Sequence, residues 1–489
     1  MNKHYLSVIL LLALLTASCG TQGPSNDTTA PDAGTTTPVT EAGYDYASHD
    51  LGGRQIMVLT ANSYWGMNVH LDAEEQNGEP LNDAVYNRNR KVEEKLNCTI
   101  RDNNYGAENT LADVATLAQT EILAGDANHD VMYIQTSKAA AYAAESFFVD
   151  LSTLDSLNLD AEYWDHVYNN TAEIDGKLWY ASSDAYLNSY NTMWCLFFNE
   201  RIMEASKLTS PYDVVREGKW TLDKLYEYCS SLANVNADES FDWKVGGSAV
   251  YGLVTHTHAD KHFVLASDNR YINKEKDGSY KLIIDNERFY DTCEKIAKLY
   301  GEEGTTIHGH YDDFSPDKGY VYTFFNERAV FLTAELKTAN NIRDMETSFG
   351  VLPFPKYDTT QTEYRTYVNR SELIYVPSNA NAEISGTVLE YMNYLFYENV
   401  VPAYWNVSMQ GRYAADVKDK DMMNIARNGV YEDFAYAYRQ DLGNFYVAPQ
   451  GLILTQGDVA GWWRGVEGSA QTNLDNLNAK LKELATKGY

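Results

Sequence analysis

Three histidines with an acid among them raise the first chemical question. His256, His258 and His262 stand within seven residues of one another with Asp260 inside the group. Neutral imidazoles beside a carboxylate suit zinc. The four-residue step from His258 to His262 fits one helical face, but His256 falls outside that register. Solvated loop histidines are the competing reading. Asn273-x-Glu275-x-Asp277-Gly278 begins like a calcium loop, and Ile284 at the twelfth position, where Glu is required, rejects it. The sequence has no GxSxG, HExxH, GxGxxG or Walker-type phosphate loop. A glycoside hydrolase needs two carboxylates, and with 69 acidic residues any pair is selectable, so their presence decides nothing.

The elements that would position such groups follow from charge and periodicity. Lys plus Arg is 39 against 69 Asp plus Glu, a formal charge of −30, which argues against a nucleic-acid partner. The 489 residues are enough for two or more domains. The chain opens Met1-Asn2-Lys3-His4, runs apolar from Tyr5 to Leu15 and reaches Ala17-Ser18-Cys19-Gly20. That is a signal too short to span a bilayer. It resembles a bacterial lipobox, with Thr16 where Leu is preferred, and implies lipid on Cys19; an ordinary cleaved secretory signal is the alternative. Residues 20–49 read as a flexible linker, and its Gly/Thr/Pro-rich part has a reach of roughly 30 Å. Cys98, Cys195, Cys229 and Cys293 are too far apart for metal or redox motifs and read as buried thiols.

From residue 51 the pattern alternates. Ile56–Leu59, Cys98–Ile100 and Val131–Ile134 read as strands, and the segments around Leu81, Val85, Val92, Leu96 and Leu111, Val114, Leu117, Ile122 as helices between them. This implies an α/β fold with a parallel sheet, and ligands in such sheets lie at the carboxyl ends of the strands. Tyr64, Trp65, Gln135 and Thr136 are placed there. Further along, Thr221 caps a helix, Asp277-Gly278 turns a hairpin, and Leu474, Leu477, Leu481 and Leu484 mark a final amphipathic helix.

Six stretches, in order, resemble the family 1 extracellular solute-binding proteins of ABC importers, the family of maltose-binding protein. They are Asp130-Val131-Met132-Tyr133, Asp175-Gly176-Lys177-Leu178-Trp179-Tyr180, Phe197-Phe198-Asn199-Glu200, Lys219-Trp220-Thr221-Leu222, Phe325-Asn326-Glu327-Arg328-Ala329-Val330 and Phe349-Gly350-Val351-Leu352-Pro353-Phe354-Pro355-Lys356. In the fifth, Glu327 stands where the family uses Gly. The resemblance implies a type II periplasmic-binding fold: two α/β lobes with a hinge and a ligand cleft between them. It puts lobe one at about 50–185 plus 373–415, and lobe two at 186–372 plus 416–489. Asp184 and Tyr186 at the first crossing, Glu335 beyond a strand, and Trp462 and Trp463 in a late loop then become ligand-binding candidates. Trp405 is a further one.

A sugar ring presents apolar C–H faces and a rim of hydroxyls, and 38 Tyr and 9 Trp supply rings that carry a polar handle. The expected function is an extracellular, lipid-anchored carbohydrate receptor that passes an oligosaccharide to an ABC permease, as a monomer, with no catalysis and no cofactor. A zinc receptor, a surface glycan adhesin and a secreted glycoside hydrolase are the rivals.

Overall fold

The computed structural model describes residues 49–61, 71–106, 111–135, 145–183, 188–241, 247–309, 319–368, 372–404, 417–431 and 433–486. Cys19, the linker up to residue 48, Tyr64, Trp65, Thr136, Asp184, Tyr186 and Trp405 lie outside the described residues, as does the side chain of Gln135.

In chain order the strands are β1 (Arg54–Ala61), β2 (Cys98–Tyr105), β3 (Val131–Gln135), β4 (Trp194–Asn199) and β5 (Tyr251–His256). They continue as β6 (Ile272–Lys274), β7 (Tyr280–Leu282), β8 (Thr306–Gly309), β9 (Ala329–Glu335), β10 (Phe349–Leu352) and β11 (Glu372–Tyr375). The first sheet has the order β11-β3-β1-β2. Its members β1, β2 and β3 are parallel, as the strand–helix alternation requires, and β11 returns from far downstream to pair antiparallel with β3, Glu372 facing Gln135. Ile56, Val58 and Leu59 are almost wholly buried, which suits a strand covered on both faces.

The crossover helix Pro80–Leu96 begins where Glu79 accepts hydrogen bonds from the Leu81 and Asn82 amides, and ends at Asn97 in the left-handed conformation. Val85, Val92 and Leu96 face the core as the periodicity requires, with Leu81 half-buried. Arg88, polar by type, is fully buried on the same face. Its guanidinium donates to the Leu71 carbonyl at 2.6 Å and lies 5.4 Å from the Phe396 ring centre. Burial lowers its pKa to about 10, against the opposing pull of Tyr133, Asp72 and Asp102. In the helix Leu111–Ala124 the buried face is Val114, Ala115, Ala118 and Glu121, rotated from the Leu117–Ile122 stripe. Two alanines allow close approach to the sheet, and Glu121 is held by His129 at 2.7 Å.

The second sheet has the order β10-β4-β9-β5-β8. Here β5 runs parallel to β8 and β9, while β4 is antiparallel to β9 and β10. The sequence stretches that resemble the solute-binding family carry structural work in this half. Trp220 is completely buried, its indole N–H donates to the Pro353 carbonyl at 3.1 Å, and the neighbouring backbones exchange bonds through Lys356. Thr221 caps the helix Leu222–Leu232 as expected. Glu327 has φ of 59°, which explains why glycine is usual there, and it is ion-paired with Arg201. Asp175 and Gly176 form a tight turn with both φ positive, joining Ile174 to Lys177.

The β6–β7 hairpin turns at Asp277-Gly278 as read. The last helix, Val459–Thr486, buries Leu474, Leu477, Leu481 and Leu484. It starts ahead of Trp462 and Trp463, so these residues stand in its first turns and not in a loop. Cys98, Cys195, Cys229 and Cys293 are buried free thiols. Among the described residues no helix is long and apolar enough to cross a membrane.

Gly252 in β5 meets the helix Leu222–Leu232 so closely that a Cβ there would lie 2.6 Å from the Cys229 Cα. Gly252→Ala is expected to destabilise the fold by about 1–3 kcal/mol through overpacking, measured by urea denaturation.

Candidate functional site

Two chain segments joining the sheets are bonded to each other at both ends. Near the first sheet, Ala181 and Ile374 exchange backbone hydrogen bonds of 2.9 and 3.1 Å. Near the second, Met193 pairs with Val368 and the Trp194 N–H donates to the Tyr367 carbonyl at 3.0 Å. The Leu336 N–H, just past β9, donates to Met193 at 2.8 Å and fixes this point to the sheet.

Strands β5, β8 and β9 all point the same way and end at His256, Gly309 and Glu335, the edge where open α/β sheets receive ligands. Antiparallel β4 starts there with Trp194. The His262 ring is stacked between Trp194, 4.1 Å away, and Tyr367, 4.5 Å away, each tilted by about 30°. Phe354, carried just beyond β10, borders the same imidazole at 6.2 Å. The row continues outward through charge. The Lys261 ammonium lies 5.2 Å from the Tyr367 centroid and 6.0 Å from that of Tyr436, and the Arg439 guanidinium lies 5.2 Å from Tyr436. Cation–π contacts of this kind are worth about 0.5–2 kcal/mol each.

Burial, then the charges of Lys261 and the neighbouring histidines, hold the His262 pKa well below the usual value, so it is a neutral ring at physiological pH. Burial lowers Lys261 to about 8, while Asp260 and Glu335 pull the other way. Glu335 is itself paired with Lys337 at 2.8 Å. Asp260 has no solvent exposure, and one carboxylate oxygen accepts the Lys261 backbone N–H at 2.8 Å. Desolvation raises this carboxyl to about 7.

The zinc reading and its solvated-loop rival both need revision. His256 and His262 are buried, not solvated, and the His256 Nδ1 accepts the backbone N–H of His258. The rings gather around Trp194, but His262 is occupied in stacking. Among the described residues no three His, Cys, Asp or Glu side chains are arranged to hold a metal ion.

Of the sequence candidates, Glu335 is the last residue of β9 and joins this edge. Gln135 ends β3 at the carboxyl edge of the first sheet. Trp463 is only 2 % exposed and packs on Phe445, so it is a core residue where an open-loop ring was expected; Trp462 beside it is half-buried. Trp194, Lys261, Tyr367, Tyr436 and Arg439 were not singled out, and His262 was weighed only as a metal ligand. Recognising Tyr251–His256 as a strand would have pointed to the residues after it.

On the opposite side of the paired segments lies a cavity of about 500 Å³. Met193 and Val368 face it together with Trp164, Tyr190, Tyr397 and Arg427.

Two outcomes follow from this geometry. Trp463→Ala should cost about 3–5 kcal/mol of stability by leaving a cavity, as measured by urea denaturation. An unfolded Asp titrates near 4. With Asp260 at about 7 in the fold, the folded state holds a proton the unfolded chain lacks in between, and the stability this gives is present at low pH and lost as pH rises through about 7. The stability of the wild type relative to Asp260→Asn should therefore fall between about pH 4 and pH 7 and stay level above, and a level difference throughout would contradict the buried acid.

The profile of the bacterial extracellular solute-binding protein family matches residues 91–398, more than half of the chain. No curated protein sequence matches it. Among solved structures, an ABC substrate-binding protein from Listeria monocytogenes in complex with cycloalternan is 10% identical with a TM-score of 0.53, covering 88% of this chain and 99% of that one. UgpB from Mycobacterium tuberculosis in complex with glycerophosphocholine is 12% identical with a TM-score of 0.55, covering 83% and 98%. The cyclic alpha-maltosyl-1,6-maltose binding protein from Arthrobacter globiformis is 12% identical with a TM-score of 0.55, covering 89% and 100%. These likenesses establish the fold, two α/β lobes of the periplasmic-binding type. By its sequence and its fold, the chain belongs to the bacterial extracellular solute-binding protein family.

Proposed function

We propose that this protein is the receptor of an ABC importer, capturing a carbohydrate between its lobes outside the cell and passing it to a membrane permease. The observation that carries this reading is the row of rings and polar groups, Trp194, His262, Tyr367, Lys261 and Tyr436, on the carboxyl edge of the second sheet. Flat rings suit the C–H faces of a sugar, and Lys261, Glu335 and Lys337 suit its hydroxyl rim. Sugar-binding relatives in the same fold support the choice of solute.

In this proposal, lobe one comprises about 50–185 plus 373–415 and lobe two the remainder to 489. The first sheet, with β11 returned to it, supports that division. Gln135, at the carboxyl edge of the first sheet, would meet the solute from the other lobe together with Tyr64, Trp65, Thr136 and Asp184, with Tyr186 at the crossing between the lobes. Solute binding would draw the lobes together by a hinge motion about the paired segments. The protein acts by binding and not by catalysis, and lipid on Cys19 holds it at the outer face of the cytoplasmic membrane.

Calorimetric titration against an oligosaccharide panel, with small-angle scattering on the same samples, tests this. A bound sugar should reduce the radius of gyration, and Tyr436→Ala should weaken affinity by roughly tenfold, the equivalent of about 1.4 kcal/mol. Unchanged affinity in that variant would remove the ring row from the site. For the anchor, Cys19→Ala is expected to move the protein from the membrane fraction to the soluble fraction; retention on the membrane would count against lipid on that sulfur.

A further inference from the structure

We infer that the solute is an acidic saccharide, whose carboxylate or phosphate ester is held by Lys261 and Arg439 above the Tyr436 ring. This inference rests on the proposed carbohydrate-receptor reading and narrows its substrate class.

The charge balance at this edge runs against that of the whole protein. The chain carries −30, yet Lys261, Arg439 and Lys337 gather here. The nearby carboxylates, Asp260 and Glu335, compensate for Lys261 only in part. Glu335 is engaged by Lys337 at 2.8 Å. Asp260 is buried beneath the edge, its pKa raised to about 7, so near neutral pH it carries only part of a charge.

Lys261 is half-buried and, among the described residues, has no carboxylate within ion-pair distance of its ammonium. Lysines are rarely withdrawn from water unless paired. Ring faces only partly replace a counter-ion, and desolvation still depresses this ammonium. Arg439 shares Tyr436 with it and adds a repulsive charge, lowering the Lys261 pKa further. Two cations on one ring, with no anion between them among the described residues, form a receptor for an anion. A carboxylate or phosphate placed there relieves the repulsion and accepts charge-assisted hydrogen bonds from both groups. The planar guanidinium suits the two oxygens of either anion. The stacked rings beside them give the saccharide its flat surface.

Titration of the purified protein with trigalacturonate, trehalose 6-phosphate and neutral maltotriose, at low and at physiological salt, tests the inference. The expected result is that one acidic sugar binds at least about tenfold more tightly than maltotriose, with the margin shrinking as salt is added. Tighter trigalacturonate binding identifies a carboxylate, and tighter trehalose 6-phosphate binding a phosphate ester. Arg439→Met should abolish the preference while leaving any maltotriose binding within a few-fold, and Lys261→Met should abolish it while also weakening maltotriose binding. Arg439 is half-buried like Lys261 but lies in a different segment of the chain, so its variant carries the test if Lys261→Met does not fold. Maltotriose binding as tightly as both acidic sugars would overturn this inference and leave the receptor reading standing, as would an acidic preference that survives in every folded variant. Absence of binding by all three sugars would count against the carbohydrate reading itself, and the inference would fall with it.

Discussion

The antiparallel pairing of the two segments that run between the sheets is the constraint on which the rest of this structure depends. It is bonded at Ala181 and Ile374 at one end and at Met193, Trp194, Tyr367 and Val368 at the other, and Leu336 ties it to the second sheet. Successive residues of an extended chain face opposite sides. Met193 and Val368 therefore look toward the cavity, and Trp194 and Tyr367 toward His262. A slip of one residue in register would exchange the two sets and dismantle the ring row. The same connection delivers β11 back to the first sheet, which is why an otherwise parallel sheet has one antiparallel member.

Around that frame the edge of the second sheet is rigidly organised. Strands β4, β5 and β9 are buried along their whole length, so Trp194, His256 and Glu335 project from a rigid platform. Stacking between two rings fixes the His262 imidazole, and burial keeps it neutral. Preorganisation of this kind lowers the ordering cost of binding, because rings held by packing have little rotamer freedom left to lose. Lys261 is the exception: its charge is retained at a site where burial opposes it, which is a cost unless binding makes use of it.

Much of the fold was legible because local rules decided it. The alternation of apolar runs and helical stripes from Leu51 to Ile134, the Thr221 cap and the Asp277-Gly278 turn are each specified by residues close in sequence. What was missed is decided by packing partners far along the chain. Arg88 and Glu121 are polar by type yet buried, because the Leu71 carbonyl and His129 await them. Strand β5 was hidden by Gly252, Thr255 and His256, a glycine and two polar residues in a fully buried strand. Thr255 finds Thr333 across the sheet at 2.5 Å, a partner that its own neighbours do not announce. With β5 unread, the carboxyl edge that follows it went unread too, so His262 was weighed only as part of a metal motif and Lys261 was passed over. The position of Glu335 at the end of β9 was legible because the motif before it fixed that strand. Trp463 was misjudged because adjacent tryptophans between glycines suggest a loop, whereas the helix Val459–Thr486 runs through them and Phe445 covers one ring.

The two sides of the connection are coupled by geometry alone. The ring row and the cavity lie on opposite faces of one pair of segments, so a rotation about that pair that narrows the first must widen the second. The cavity is bounded by Trp164 and Tyr397 on one hand and by Tyr190, Arg427 and Val430 on the other. Trp164 is held firmly in its place, since Glu390, buried in the helix Ala382–Leu395, accepts hydrogen bonds from it and from Tyr163. Tyr190 is anchored in turn, packing at 5.3 Å on Tyr404, whose hydroxyl donates to Asn191. The walls are thus separately anchored, with open space between them, and the apolar core of the second sheet continues directly into Val400, Val401 and Tyr404. Packed cores shift between discrete arrangements and do not deform smoothly. Any closure over the rings is therefore a rigid-body step, resisted by this apolar continuity and made possible by the space beside it.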